Sequence, residues 1–190
     1  MGSPKALLSD GRGTFLARIV GTLTTAGVDE VVVVTGVHHD VIAAEVGTWP
    51  GRRLVQLVRN DRPGADQLSS LRAGLDAVDR GSADAVVVAL VDHPFVTPGT
   101  VQALLSRFTE TGAPVIRPAC RGRHGHPVVF ARETFASLRS VPSTTGAKAV
   151  LQAFAERVLD VELEDEGAWT DIDTPDAYRS ALARFATVGP

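Results

Sequence analysis

Cysteine, methionine and tyrosine each occur once in these 190 residues, and tryptophan only twice. The lone thiol, Cys120, excludes an internal disulfide framework and a zinc site built on cysteines, and it suits a reducing compartment such as the cytoplasm. Long apolar runs are also missing. The longest are Val31–Val34 and Ala85–Val91, far short of the ~20 residues a membrane span needs. Met1-Gly2-Ser3-Pro4-Lys5 lacks the basic-then-apolar pattern of a secretory leader. There is no long run of like charges, and 19 basic against 22 acidic residues leave a net charge of −3. That balance argues against a general grip on nucleic-acid phosphates, while a local basic pocket stays open. Familiar chemical signatures are absent as well. Gly11-Arg12-Gly13 has Leu16 where a dinucleotide fingerprint needs its third glycine, and neither a GxxxxGK[ST] phosphate loop nor a GxSxG elbow occurs.

What is present is ordinary globular composition, 44% hydrophobic and 22% charged, which excludes a mostly disordered chain. The length suits one domain over residues 1–190. Short valine-rich runs alternate with helical patterns. Glu30–Thr35, Leu54–Val58, Asp84–Val91, Pro114–Pro118, Pro127–Phe130 and Val158–Leu163 read as strands. Asp84–Val91 is apolar enough to be buried on both faces. Helical spacing marks Thr14–Ala26, His39–Val46, Gln67–Val78 and Gly146–Ala155, and Thr97-Pro98 and Thr174-Pro175 open two more as caps with proline first. Alternation of this kind predicts an α/β fold: a three-layer α/β/α, Rossmann-like doubly wound domain with a mostly parallel sheet. Ligands of such sheets bind outside the carboxyl ends of the strands, and the candidate residues gather there.

Asp92 ends the strongest strand, before His93-Pro94, where a carboxylate holds a hard cation over a phosphate or simply accepts from loop amides. Asp171 and Asp173, two apart and so on one face of extended chain, offer a second metal ligand or favour the helix start that follows them. Lys5, on a turn after Pro4, reaches phosphate oxygens as a point charge or remains solvated. Arg72, beside the stripe of Leu68, Leu71 and Leu75, reads in isolation as a solvent-facing arginine. His38-His39 do not face one point on a helix. His124 and His126 have no third ligand at metal spacing, so a glycine-framed loop touching a ligand is the better reading than zinc.

In order, these pieces resemble one family. Met1-Gly2-Ser3-Pro4-Lys5-Ala6-Leu7-Leu8 is similar to the second half of the LAAGxSxRMGxPKxLL signature of MobA-like nucleotidyltransferases. Ala26–Val34 resembles their second strand, and Ser69-Ser70-Leu71-Arg72-Ala73-Gly74 their SSLRAG helix start. Asp92-His93-Pro94 stands at GDxP, Gly125-His126-Pro127-Val128 at GHPV, and Asp171-Ile172-Asp173-Thr174-Pro175 at DIDTP. Within the family the likeness is greatest to molybdenum cofactor cytidylyltransferases. The half-signature LAAGxSxR and the strand bearing it have no counterpart here, and Val91 replaces the glycine of GDxP. Ala65-Asp66-Gln67 replaces the glycine-methionine pair that often precedes SSLRAG. The absent half is read in two ways: Met1 is the internal methionine of RMG, or the chain is a degenerate member.

The resemblance implies Mg²⁺-dependent transfer of a nucleoside monophosphate, CMP from CTP, onto a phosphorylated acceptor such as molybdopterin, with release of pyrophosphate. Lys5 would neutralise the triphosphate, with Gly2, Ser70 and Arg72 contacting the nucleotide. Asp92 with Asp173, or Asp171 in its place, would hold Mg²⁺, and His93 and His126 would lie on the acceptor side. The alternatives are a binding or assembly module for a molybdenum enzyme such as a molybdenum hydroxylase, and a transferase for another phosphorylated acceptor.

Overall fold

The computed structural model describes residues 4–50, 52–62, 66–78, 83–142 and 148–185. Helix α1, Phe15–Thr25, starts where the Thr14 side chain accepts from the Ala17 amide, and Gly27 follows its end at φ 94°. Strand β1, Val31–Thr35, then crosses through α2, His39–Gly47, to β2, Val55–Arg59. The two strands pair in parallel from Val31 opposite Val55 to Thr35 opposite Arg59. Helix α3, Gln67–Val78, leads to β3, Ala85–Val88, and α4, Pro98–Thr111, leads to β4, Val115–Cys120. The short β5, Arg123–His124, turns back on β4, and β6, Val128–Ala131, inserts between β3 and β4. Helices α5, Phe135–Ser140, and α6, Lys148–Ala153, precede β7, Val158–Glu162, and α7, Pro175–Phe185, closes the order.

Strands β3 and β4 both run antiparallel to β6, and β7 runs parallel to β4. The sheet directions are therefore those of the expected mostly parallel α/β fold, with β5 and β6 reversed. Alternation sorts the core into layers. Val115, Val128 and Phe130 pack with Leu75, Phe135, Leu138 and Val150 beneath α3, α5 and α6. Ile116 and Val129 point the other way, against Leu104 of α4. On that same side Leu16, Val20 and Leu23 of α1 meet Ile42, Val46 and Val101.

Two expectations change. Strand Asp84–Val91 is shortened to Ala85–Val88, because the chain turns at Val91-Asp92. Its residues, expected to be buried on both faces, are half-buried. The reason is a break in the sheet: among the described residues no ladder joins β1 to β3, so each keeps an unpaired edge. Val33 of β1 and Val87 of β3 nevertheless pack on the same core cluster, so helices rather than backbone hydrogen bonds hold the two ladders together. Helix α3 touches both, with the Cβ position of Gly74 only 3.2 Å from Val34 and Leu75 packed with Val86 and Val88.

Candidate active site

The first side of the site is the segment before α1. Pro4 starts a single tight turn over Lys5–Leu7, the Phe15 amide donates to the Leu8 carbonyl at 2.8 Å, and the Tyr178 hydroxyl donates to the Ser9 carbonyl. This pinning carries the Lys5 ammonium to Asp173, with which it forms an ion pair. The hydrogen bond from Lys5, and then its charge, hold the Asp173 carboxyl below the ordinary value of 3.8, and nearby His93 acts in the same direction. Asp171 lies within hydrogen-bonding reach of Asp173.

The second side is the turn after β3. The His93 amide donates to Leu90 at 3.1 Å, and the Asp92 carbonyl accepts from the Ile172 amide at 2.9 Å, which sets the strand end beside the Asp171–Asp173 segment. Asp92 Oδ1 is buried with no hydrogen-bond partner and lies 4.0 Å from His93 Nε2. The third side is the loop between β5 and β6. Its His126 amide donates to the Ala168 carbonyl at 3.0 Å, and its imidazole is tilted over that of His93 with ring centres 5.2 Å apart. Burial pushes the His126 imidazole below its ordinary 6.5 and His93 adds to this, against the opposing pull of Asp92 and of a hydrogen bond to the Val88 backbone. His126 is thus a neutral ring at neutral pH.

Lys5, Asp92, His93, His126, Asp171 and Asp173 form one neighbourhood at the carboxyl end of β3. Ser70 and Arg72 make their contacts elsewhere. Ser70 Oγ accepts from Asn60 Nδ2 at 3.2 Å, at the end of β2. Arg72 donates from Nε to the Leu138 carbonyl at 3.2 Å and from Nη2 to Val141, tying α3 to the end of α5. The expected solvent-facing or nucleotide-contacting guanidinium is therefore engaged by protein carbonyls. Gly2 lies outside the described residues. Asn60, just beyond β2, was not among the sequence candidates. Buried, it bonds both Ser69 and Ser70, and its sole sequence signal is an asparagine at a strand end nine residues before a serine pair.

Among the described residues no three His, Cys, Asp or Glu side chains converge as a ready-made metal cage. The unpartnered, buried Asp92 Oδ1 is an oxygen left without a donor, and a carboxylate is the kind of hard donor that a hard divalent cation prefers.

A family model for the MobA-like NTP transferase domain matches residues 1–159. The chain belongs to this family. Nicotine blue oxidoreductase of Paenarthrobacter nicotinovorans is 30% identical over 179 residues, covering 90% of this chain and 84% of that protein. Phosphoenolpyruvate guanylyltransferase of Sphaerobacter thermophilus is 30% identical over 128 residues, 67% of this chain and 60% of that one. Among solved structures, the manganese complex of Rv0371c from Mycobacterium tuberculosis H37Rv superposes with a TM-score of 0.68 at 26% identity, covering 96% of this chain and 93% of that chain. This MobA-like domain therefore has a structural relative solved as a manganese complex. Among its described residues no helix is long and apolar enough to cross a membrane.

Proposed function

We propose that the domain, as a single unit over residues 1–190, moves CMP from CTP onto a phosphorylated small-molecule acceptor of the molybdopterin type, releasing pyrophosphate. The observation that carries this reading is the meeting of Lys5, Asp92 and Asp173, from three separate parts of the chain, at one strand end. An acceptor phosphate oxygen forms a bond to the α-phosphorus, the bond to the bridging oxygen of the β-phosphate breaks, and pyrophosphate carries the electron pair away. No protein nucleophile is required, so the work is positioning and charge neutralisation.

Lys5 meets the triphosphate as a point charge. In doing so it exchanges Asp173 for phosphate and releases that carboxylate. Asp92 and Asp173, with Asp171 as the alternative to Asp173, would hold Mg²⁺, which when bound neutralises charge on the phosphates. Ser70 Oγ already accepts from Asn60, which leaves its hydroxyl proton to donate to the nucleotide. His93 and neutral His126 lie on the acceptor side, where the buried Nδ1 atoms of both lack a hydrogen-bond partner. Arg72 serves the packing of α3 on α5. A nucleoside triphosphate substrate suits a cytoplasmic reaction.

The test is pyrophosphate release with Mg²⁺, each nucleoside triphosphate in turn, and a panel of phosphorylated acceptors. Release with CTP and molybdopterin, lost in Asp92→Asn with its fold intact, supports the reading. Release with another acceptor keeps the transferase and moves its substrate. The gap between the β1–β2 ladder and β3 favours a second reading, a module that binds nucleotide and docks on a molybdenum hydroxylase without transfer. Metal-dependent CTP binding with no pyrophosphate from any acceptor is its signature.

A further inference from the structure

Asp165 touches none of the candidate catalytic groups, yet it fixes the turn on which they lean. Its Oδ2 accepts three hydrogen bonds, from the Thr97 amide and hydroxyl, both at 2.9 Å, and from the Thr100 hydroxyl at 2.6 Å. Its Oδ1 accepts from the Gly167 amide at 3.0 Å, and its carbonyl accepts from the Ala168 amide at 3.0 Å. One carboxylate thus clamps the start of α4 to the tight turn Glu166–Ala168. Only an acceptor on both oxygens satisfies four donors at once, and a negative charge is favoured at a helix N-terminus.

The clamped turn is a wedge with no slack. A Cβ on Gly167 would lie 2.0 Å from the Phe95 carbonyl oxygen, in the loop that carries Asp92 and His93. On its other side, a Cβ on Gly125 would lie 2.4 Å from the Ala168 carbonyl oxygen, which also accepts the His126 amide at 3.0 Å. Four residues beyond Ala168, the Ile172 amide donates to the Asp92 carbonyl, between the two carboxylates Asp171 and Asp173. The segment from Asp165 to Asp173 therefore meets both loops and carries the carboxylate pair itself.

We propose that Asp165 is a positioning residue, whose clamp on the Glu166–Ala168 turn sets the spacing between the Asp92–His93 loop, His126 and Asp173. Its catalytic consequence rests on the transferase reading above, while the brace itself is measurable without turnover. The experiment is amide hydrogen exchange by NMR on the full chain, wild type against Asp165→Asn, which is isosteric but presents an NH₂ to the donors. The amides of His126 and Ile172 should exchange about tenfold faster or more, while those of β6 stay within about twofold. Thr100→Val, which removes one of the four bonds, should move the same two amides in the same direction by less.

Acceleration confined to α4 amides would reduce Asp165 to a helix cap and overturn the proposal. So would uniform acceleration across the core in both variants, or unchanged exchange at His126 and Ile172. In pyrophosphate release, the variant should lose kcat while keeping KM for the nucleotide, since Lys5 and Ser70 are untouched. A wild-type chain that releases no pyrophosphate with any acceptor removes the transferase reading and leaves the exchange result to decide the brace.

Discussion

Lys5 and Asp173 form an ion pair across 168 positions of sequence, between a turn that precedes α1 and the segment that precedes α7. Their side chains are 33% and 61% exposed, so solvent screens the pair and it adds little to stability. In the proposed transfer its value lies in placement: an ammonium and a carboxylate are held together beside the turn after β3, where each would change partner when a triphosphate binds.

Lys5→Met should accordingly separate function from folding. Pyrophosphate release should fall by about a hundredfold, the usual cost of losing one charged stabiliser of a transferring phosphoryl group. The melting temperature should move by no more than about 3 °C. Unchanged turnover in this variant would remove Lys5 from the transfer chemistry.

The two glycine-framed approaches can be tested against a glycine that approaches nothing. Gly21, on α1, has no atom within 4 Å of where a Cβ would stand. Gly21→Ala should raise the unfolding free energy, and with it the urea midpoint, by the ~0.5–1 kcal/mol of stability that alanine gains over glycine inside a helix. Gly167→Ala meets backbone atoms of Phe95 at 2.0 and 2.3 Å and has no flexible side chain to displace. It should lower stability by ~1–3 kcal/mol or more through forced backbone shifts. Equal midpoints for the two variants would mean that the Phe95 loop gives way freely.

Much of this arrangement was legible from sequence, and what was not has a physical cause. Helix α1 was placed within a residue at each end, and α4 at its start, because Thr14, Thr97-Pro98 and the glycine after α1 act locally. The end of β3 was not: the apolar run was read as strand to Val91, but pairing stops at Val88 and the chain turns at Val91-Asp92. The break between β1 and β3 was not visible as two separate ladders, since strand pairing depends on partners far along the chain. Asp165 gave no signal at all. Its side-chain partners across the fold lie 65 and 68 positions away, and a lone aspartate between two glutamates looks like any solvated loop. Arg72 shows the converse limit: a residue in a recognisable motif whose donors are taken up by backbone carbonyls 66 and 69 positions on.

That arginine supplies its own prediction. Arg72→Met leaves the Leu138 and Val141 carbonyls without their charged donor and should cost ~1–3 kcal/mol of stability. Calorimetric affinity of the folded variant for CTP should stay within about threefold of wild type, less than 1 kcal/mol. A large loss of affinity with an unchanged unfolding midpoint would instead assign the guanidinium to the nucleotide.

His126 gives the chain a pH dependence whose sign and window can be stated. Burial, reinforced by His93, keeps its imidazole from taking a proton until the pH is below the ordinary 6.5. The unfolded chain takes that proton at about 6.5, so below this pH the unfolded state binds more protons and stability falls. Above it both states are neutral and His126 contributes no slope. Asp173, lowered by Lys5, and Asp160, lowered by the hydrogen bond from Arg117, act in a different window. Their contributions are complete above the ordinary 3.8 and are lost only as pH falls through still lower values. Between about pH 6.5 and pH 4.5 the histidine therefore acts without them. Urea midpoints measured from about pH 8 to pH 5 should be flat and then decline, and His126→Gln, which cannot titrate, should flatten the decline. If the variant declines as steeply as the wild type, the acid sensitivity belongs to another group and the neutral, buried ring assigned to His126 is wrong.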